Sequence, residues 1–363
     1  MRSTKAIGAS VVLALVWVRV ATADERPPSS TYLPPGVAAQ INLGNAGLLK
    51  PYFDDGMYGI AWENLGNSRA TIGQAQGSGV TTGYKDNMND VIGSLKTLKA
   101  LPDGRSYLSV GLTGGGSYAE PNLVAGNGPF GNVFAQYLTF PDQDSMVAVG
   151  LFAERNYMDL GNAWTDHSGY GLRFDAIRKF SEHWGIYGRL MYSVGRTGTA
   201  FDVAPGMQNS IKQGDNRLYT QANLVGTYTT KDIGFLPDGW AFHPMVGAFF
   251  LNSQVATATD SFGTLRSGVL GPRDNYGMVF GELYFERLTV PEEWAPKFGF
   301  GITHEYVNNL NIYVSESNFA VATVGVSRLS KSGMRLDLLY SRNQGFNGYR
   351  TNNSFVTAVS VTF

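Results

Sequence analysis

The chain has no cysteine, which removes disulfide frameworks, thiolate metal sites and a lipid-modified N-terminal cysteine together. Charge is scarce as well. Only 16% of the 363 residues are Asp, Glu, Lys or Arg, and they nearly cancel, to −1. That balance offers no footprint for nucleic acid, so no nucleic-acid partner is expected. Apolar runs of about 18 residues or more are missing, and the mean hydropathy is −0.12, which excludes a bundle of membrane helices. Four histidines occur, His167, His183, His243 and His304, without an H-x-x-x-H or H-E-x-x-H pair, so no metal or cofactor is expected. No G-x-S-x-G and no phosphate-cradling glycine loop is present. Asp166-His167-Ser168 is tempting, but adjacent residues on a strand diverge, as do His304 and Glu305. An enzyme is not expected. What abounds is glycine, 45 residues, and aromatics, at 13%, a mixture unlike a disordered chain or a soluble α/β enzyme.

The N-terminus carries an export pattern. Arg2 and Lys5 form a basic start, residues 11–18 are uninterruptedly apolar, and Ala21-Thr22-Ala23 supplies a small-x-small cleavage site. Residues 1–23 are therefore expected to be a signal peptide. Their removal leaves 25 basic residues against 29 acidic ones.

From about residue 105 the sequence alternates apolar and polar with period two. Such segments lie near 105–113, 131–140, 145–157, 168–179, 184–196, 215–229, 240–252, 274–288, 296–306, 316–328, 333–343 and 353–363. Each shows one face to an apolar medium and the other to a polar one. Connections at Pro141–Asp144, Lys179–His183, Thr230–Gly239, Leu288–Ala295 and Leu329–Ser332 are short. Those around 114–130, 158–167, 197–214, 253–273, 307–315 and 344–352 are mostly longer and rich in Gly, Asn, Thr and Ser. Short turns at one end and long loops at the other mark an antiparallel outer-membrane β-barrel, here of twelve strands. An even count puts both ends of the barrel on the short-turn, periplasmic side. A soluble β-sandwich would use strands of about 5–6 residues and two apolar inner faces.

Faces follow strand by strand. Tyr170, Leu172, Phe174 and Ala176 oppose Gly169, Gly171, Arg173 and Asp175; Met334, Leu336, Leu338 and Tyr340 oppose Arg335, Asp337 and Ser341. A charge at the lipid midplane costs about 2–4 kcal/mol, so charges fix the inner face. The lumen-facing candidates are Glu154, Arg173, Asp175, Arg189, Arg217, Glu282, Glu305, Arg335 and Asp337. Trp184, Trp240 and Trp294 each follow a short turn, a girdle at the periplasmic interface.

Residues 24–86 differ. Pro27, Pro28, Pro34 and Pro35 make an extended lead, and the Gly/Asn-rich stretch after them, with Tyr58, Ile60 and Trp62 on one face, could add a hairpin and make fourteen strands. Residues 87–104 hold a linker helix: Asn89 as cap, Asp90 in the first turn, then Val91, Ile92, Leu95 and Leu98, with Pro102-Asp103-Gly104 ending it. About 20 Å long, it would rest at the periplasmic rim or lie inside the lumen.

A signal peptide, an N-terminal segment, a helix and a twelve-stranded barrel at 105–363 together resemble the translocator barrel of autotransporters (type V secretion). The texture of residues 240–247, Gly169-Tyr170-Gly171-Leu172 and the tail from Phe355 to Phe363 is similar to that family. The resemblance implies a Gram-negative outer-membrane protein, in contact with outer-membrane lipid and monomeric, that anchors or exports a short N-terminal segment. It departs from the family in lacking a long passenger. Asn87 and Asn89 stand where some members cleave themselves, and capping is the competing role. A porin-like channel for small solutes and a surface-loop adhesin are the alternatives. The C-terminal Phe363, with Val361 and Val359 on the same face, resembles the signal read by the barrel-assembly machinery, and the last strand is expected to close against residues 105–113.

Overall fold

The computed structural model describes residues 86–103, 106–119, 127–142, 144–159, 163–267, 273–308, 316–332, 334–348 and 350–362. The expected signal peptide, the Gly-rich segment with its candidate hairpin, and Phe363 lie outside these residues. The strands are β1 (Asp86–Ala100), β2 (Ser106–Ala119), β3 (Asn127–Thr139), β4 (Ser145–Asp159), β5 (Ala163–Lys179), β6 (Trp184–Ala204), β7 (Met207–Gly226), β8 (Tyr228–Thr229), β9 (Trp240–Val255), β10 (Thr257–Thr259), β11 (Leu265–Ser267), β12 (Arg273–Arg287), β13 (Trp294–Asn308), β14 (Asn318–Leu329), β15 (Met334–Gly345) and β16 (Arg350–Thr362).

Neighbouring strands pair antiparallel around a closed wall. The two-residue β8 continues the line of β7 along β9 after a break at Thr227, and β10–β11 is a separate hairpin, which leaves thirteen wall strands. Pro244 explains the break. It has no N–H to offer β7, and the Gly226 carbonyl instead lies 3.2 Å from Nδ1 of His243.

The barrel is all-β and closed, but its count is neither twelve nor fourteen. The extra strand is β1, where a helix was expected from Asn89 onward. β16 accordingly closes against β1 and not against residues 105–113. With an odd number of alternating strands the first and last run the same way, so this one seam is parallel. It pairs Asp86 with Arg350 and continues in register to Leu98 with Thr362. Two features of the sequence oppose a helix. Val91 and Ile92 are β-branched, and Gly93 sits in the middle of the segment. Strand parity sorts the same residues cleanly: Asp90, Ile92, Lys96 and Leu98 are buried on the inner face, while Val91 and Leu95 are exposed outside and Asn89 is half-buried. The apolar residues fit both periods, and the unpaired edges of β2 and β16 decide between them.

The outer face is apolar to a degree no water-soluble surface tolerates. Tyr170 is 68% exposed and Ile302 and Leu151 are each 63% exposed. On β6 this band runs from Trp184 to Val194, which at ~3.3 Å per residue and a ~40° tilt spans roughly 25–30 Å, the height of a bilayer core. Trp184, Trp240 and Trp294 open β6, β9 and β13 at the short-turn end. Arg328 lies 5.6 Å over Trp294, and Trp240 packs 6.0 Å from Phe298.

At the opposite end the stretch expected as a loop at 197–214 is mostly strand. β6 and β7 extend 21 and 20 residues and meet in a turn at Pro205-Gly206. Much of 253–273 is likewise ordered, as the β10–β11 hairpin.

The seam is testable because the chain has no cysteine of its own. Gly93 and Thr357 are register partners across β1 and β16, and a Cβ at Gly93 meets nothing closer than 3.8 Å. The double variant Gly93→Cys/Thr357→Cys should form an intrachain disulfide on oxidation, seen as a mobility shift reversed by reductant. No crosslink in the folded, heat-modifiable band would refute the parallel seam.

Candidate functional site

Strand alternation turns a second set of side chains inward, and these are charged, hydroxylic and amidic. Glu154, Arg173, Asp175, Arg189, Arg217, Glu282, Glu305 and Asp337 are all buried, and Arg335 is part-buried with its side chain 18% exposed. They fall into three centres.

The first surrounds Asp175. Its Oδ2 accepts from Arg173 Nε at 2.7 Å and Gln136 Nε2 at 2.8 Å. Its Oδ1 accepts from Arg189 Nε at 2.6 Å and the Tyr187 hydroxyl at 3.1 Å. One carboxylate thus ties β3, β5 and β6 together. Both oxygens carry two donors, which is the condition for a buried charge to be tolerated. The Arg173 guanidinium also lies 4.6 Å over the Phe134 ring, and Lys96 of β1 sits 5.5 Å from the same ring. Gly111 makes room for that ring, since a Cβ there would meet it at 2.2 Å. The two cations at one aromatic ring link β1 to the wall.

The second centre is His167 on β5. Nε2 lies 3.2 Å from Glu154 Oε1 and Nδ1 lies 2.9 Å from Asp215 Oδ2. Thr197 donates to Asp215 Oδ2 at 2.5 Å, Ser193 donates to Glu154 Oε1 at 3.3 Å, and Arg217 Nη2 reaches Asp215 Oδ2 at 3.2 Å. Gly195 is the enabling residue here. A Cβ on it would lie 2.6 Å from the Ser168 carbonyl and 2.7 Å from Asp215 Oδ1. Ser168 itself is exposed on the outer face, so His167 and Ser168 diverge.

The third centre is Asp337, bonded by Lys297 Nζ at 2.7 Å, Ser327 Oγ at 2.6 Å and Arg335 Nε at 2.7 Å. Glu282 accepts from Tyr284, Glu305 accepts from Tyr276 at 2.8 Å, and Asn352 donates to Asp90 at 3.2 Å across the seam. Among the described residues no group of three or more His, Cys, Asp or Glu is disposed to hold a metal ion.

Reasoning from sequence missed Asp215, Lys297, His167, Asp90 and Lys96 as inner residues. Parity was available for the first two: Asp215 shares a face with Arg217, and Lys297 with Glu305. The partners of His167 come from β4 and β7, and no spacing along one strand reveals them. Val359 and Val361 are half-buried on β16.

Beyond the apolar band, at the long-connection end, the β10–β11 hairpin docks on β7 through Asp260. Its carboxylate accepts from Asn209 Nδ2 at 3.0 Å, Arg266 Nε at 2.7 Å, and the backbone N–H groups of Phe262 and Thr264 at 3.0 and 2.9 Å. Those donors, Asn209 first, hold its pKa well below the ordinary carboxylate value. A lowered folded-state pKa contributes stability above the unfolded value, lost only as pH falls through the folded one. Amide-exchange protection of the hairpin should therefore persist from neutral pH to about pH 4, whereas Asp260→Asn should lose it already at neutral pH. Unchanged protection in that variant would show that Asp260 does not hold the hairpin.

Within the wall, Asp175→Asn strands two buried guanidiniums without their counter-charge. It should cost about 3–5 kcal/mol, the usual penalty for breaking a buried pair from one side. The readout is the temperature at which the compact gel band converts to the unfolded one; a shift no larger than that of an outer-face control such as Thr220→Ser would contradict the assignment.

No protein-family model and no curated protein matches the chain. Among solved structures it is similar to the translocator domain of autotransporter NalP from Neisseria meningitidis, at 10% identity and TM-score 0.51, over 81% of this chain and 92% of that one. The beta domain of the Bordetella autotransporter Brka follows at 12% identity and TM-score 0.49, over 69% and 95%. The transport unit of the autotransporter AIDA-I from Escherichia coli has 13% identity and TM-score 0.38, over 78% and 94%. The closed wall thus has the fold of an autotransporter translocator barrel.

Proposed function

We propose that the chain is an outer-membrane translocator and anchor of a Gram-negative bacterium that sets its own N-terminal segment on the outer side of the membrane. One observation carries this reading. β1 enters the wall at the end of the long connections and leaves it through the turn at Pro102-Asp103, at the end of the short ones. Short turns of such barrels face the periplasm and long loops face outward. Chain preceding Asp86 therefore joins the barrel from outside. The reading includes a cleaved signal peptide at 1–23, insertion by the barrel-assembly machinery guided by Phe363, and a monomeric barrel.

The interior supports an anchor over a selective channel. Charges of both signs stand within a few ångströms of each other at Asp175, Asp337 and Asp215, an arrangement that, among the described residues, favours salt-linked walls over a ring of one sign that would select a solute. The outward turn of Ser168 away from His167 supports a role without catalysis.

An epitope inserted between Gly79 and Val80 tests the placement. Antibody should bind it on intact cells and external protease should remove it with the barrel left in the membrane. A second epitope in the Ser181-Glu182 turn should be reached only after permeabilisation. Protection of the first epitope on intact cells would sink the reading.

A further inference from the structure

Outward-facing cations stand at both ends of the barrel. At the short-turn end Arg178 pairs with Asp142 at 2.6 Å, Arg287 with Glu293 at 2.5 Å and Arg328 with Glu292 at 3.2 Å, and the exposed Lys99, Lys231 and Lys331 lie scattered in and beside the turns. At the other end, directly above the apolar band, two arginines stand at one level of the register and a lysine one dyad higher. Arg155 of β4 is the register partner of Ser168 on β5, Ser168 of Arg196 on β6, and Arg196 of Gly214 on β7. Lys212 follows one dyad above Gly214. Arg155, Ser168, Arg196 and Lys212 all have buried residues on either side or opposite parity to the inner face, and all are exposed. Arg155 is steadied by a two-point bond to Asp166 at 3.2 and 3.0 Å yet remains 72% exposed. Arg196 and Lys212 have no ion-pair partner among the described residues.

We propose that this group of cations is a binding site for a phosphorylated glycolipid of the outer leaflet. The proposal rests on the outer-membrane reading above. Three arguments select that occupant. The level of the two arginines lies where lipid headgroups meet the wall, one dyad above Ala153, Tyr170 and Val194 of the apolar band. A guanidinium fork takes phosphate oxygens two at a time; that of Arg196 has no ion-pair partner among the described residues, while Arg155 gives Nε and Nη2 to Asp166 and keeps most of its side chain exposed. Arg155 and Arg196 are two strands apart, about 10 Å. That separation suits two phosphates borne on a sugar scaffold and exceeds what one phosphodiester spans. Below that level, Ala153 and Val194 flank the larger Tyr170, so acyl chains can lie in the shallow positions on either side of its ring. Gly214 leaves the next position open beneath Lys212.

The purified full chain in detergent, probed with bisphosphorylated lipid A, dephosphorylated lipid A and phosphatidylglycerol, tests this by native mass spectrometry. Wild type should retain bisphosphorylated lipid A in preference to both others. The variant R155Q/R196Q/K212Q should bind it at least about tenfold more weakly, and R178Q/R287Q/R328Q, with as many cations removed at the other end, should bind as wild type. Heat-modifiable migration confirms the barrel in each variant; should the triple variant fail it, R196Q alone replaces it, with a loss of about threefold expected. Undiminished binding by a folded variant, an equal loss in the short-turn variant, or equal binding of phosphatidylglycerol each overturns the site. Because migration and epitope exposure are read separately, that failure would leave the translocator reading standing.

Discussion

Everything in this structure depends on closing the backbone ladder. Inside lipid no water replaces a missing partner, and each unpaired N–H or C=O costs several kcal/mol. A wall of twelve strands starting at β2 could close only by bringing β2 against β16. Here β1 lies between them, pairing antiparallel with β2 and parallel with β16. The inserted strand satisfies both edges at once, with side-chain bonds across the seam between Asn353 and Asn89 at 3.0 Å and between Asn352 and Asp90. Parallel ladders are slightly weaker per residue than antiparallel ones, and these two polar links add to the backbone pairing at the seam.

With the ladder closed, a period of two does the remaining work. Each strand exposes one residue set to lipid and turns the next one inward, and a charge is tolerated only inside. Burial then demands pairing, and the chain uses two routes. Arg173 with Asp175, Asp215 with Arg217 and Arg335 with Asp337 are pairs two residues apart on one face of one strand. Arg189 with Asp175 and Lys297 with Asp337 bridge separate strands. The first route sets a charge and its counter-charge together by local geometry. The second ties the wall circumferentially, so removing a carboxylate loosens several strands.

The two routes differ in how far the sequence reveals them. The R-x-D and D-x-R pairs lie open to anyone who trusts the alternation, as do the apolar faces and the sharp turns. The cross-strand partners depend on register, which the thirteen strands fix only collectively. β1 was misjudged for a related reason. Val91, Ile92, Leu95 and Leu98 satisfy a helical period and a strand period equally well, and the deciding term is the demand of the edges of β2 and β16, which no local window contains. Long connections were overestimated where β6 and β7 continue as a ribbon, because Gly, Thr and Asn in 197–214 suit a loop and a solvated strand alike.

Strand parity and wall height together give the barrel its polarity. An even wall returns both ends to one side; the odd wall separates Asp86 from Thr362 and places them at opposite ends. The wall is also lopsided. β6 and β7 run 21 and 20 residues, while β14 and β15 run 12 each, so one flank rises well above the band that lipid covers. That tall flank carries the Asp260 hairpin, and the exposed cations Arg155, Arg196 and Lys212 sit at its base, at the end where β1 begins. Extra strand length, the added hairpin and the start of β1 all lie at the long-connection end, where chain can be added above the lipid-covered band without disturbing the ladder inside it.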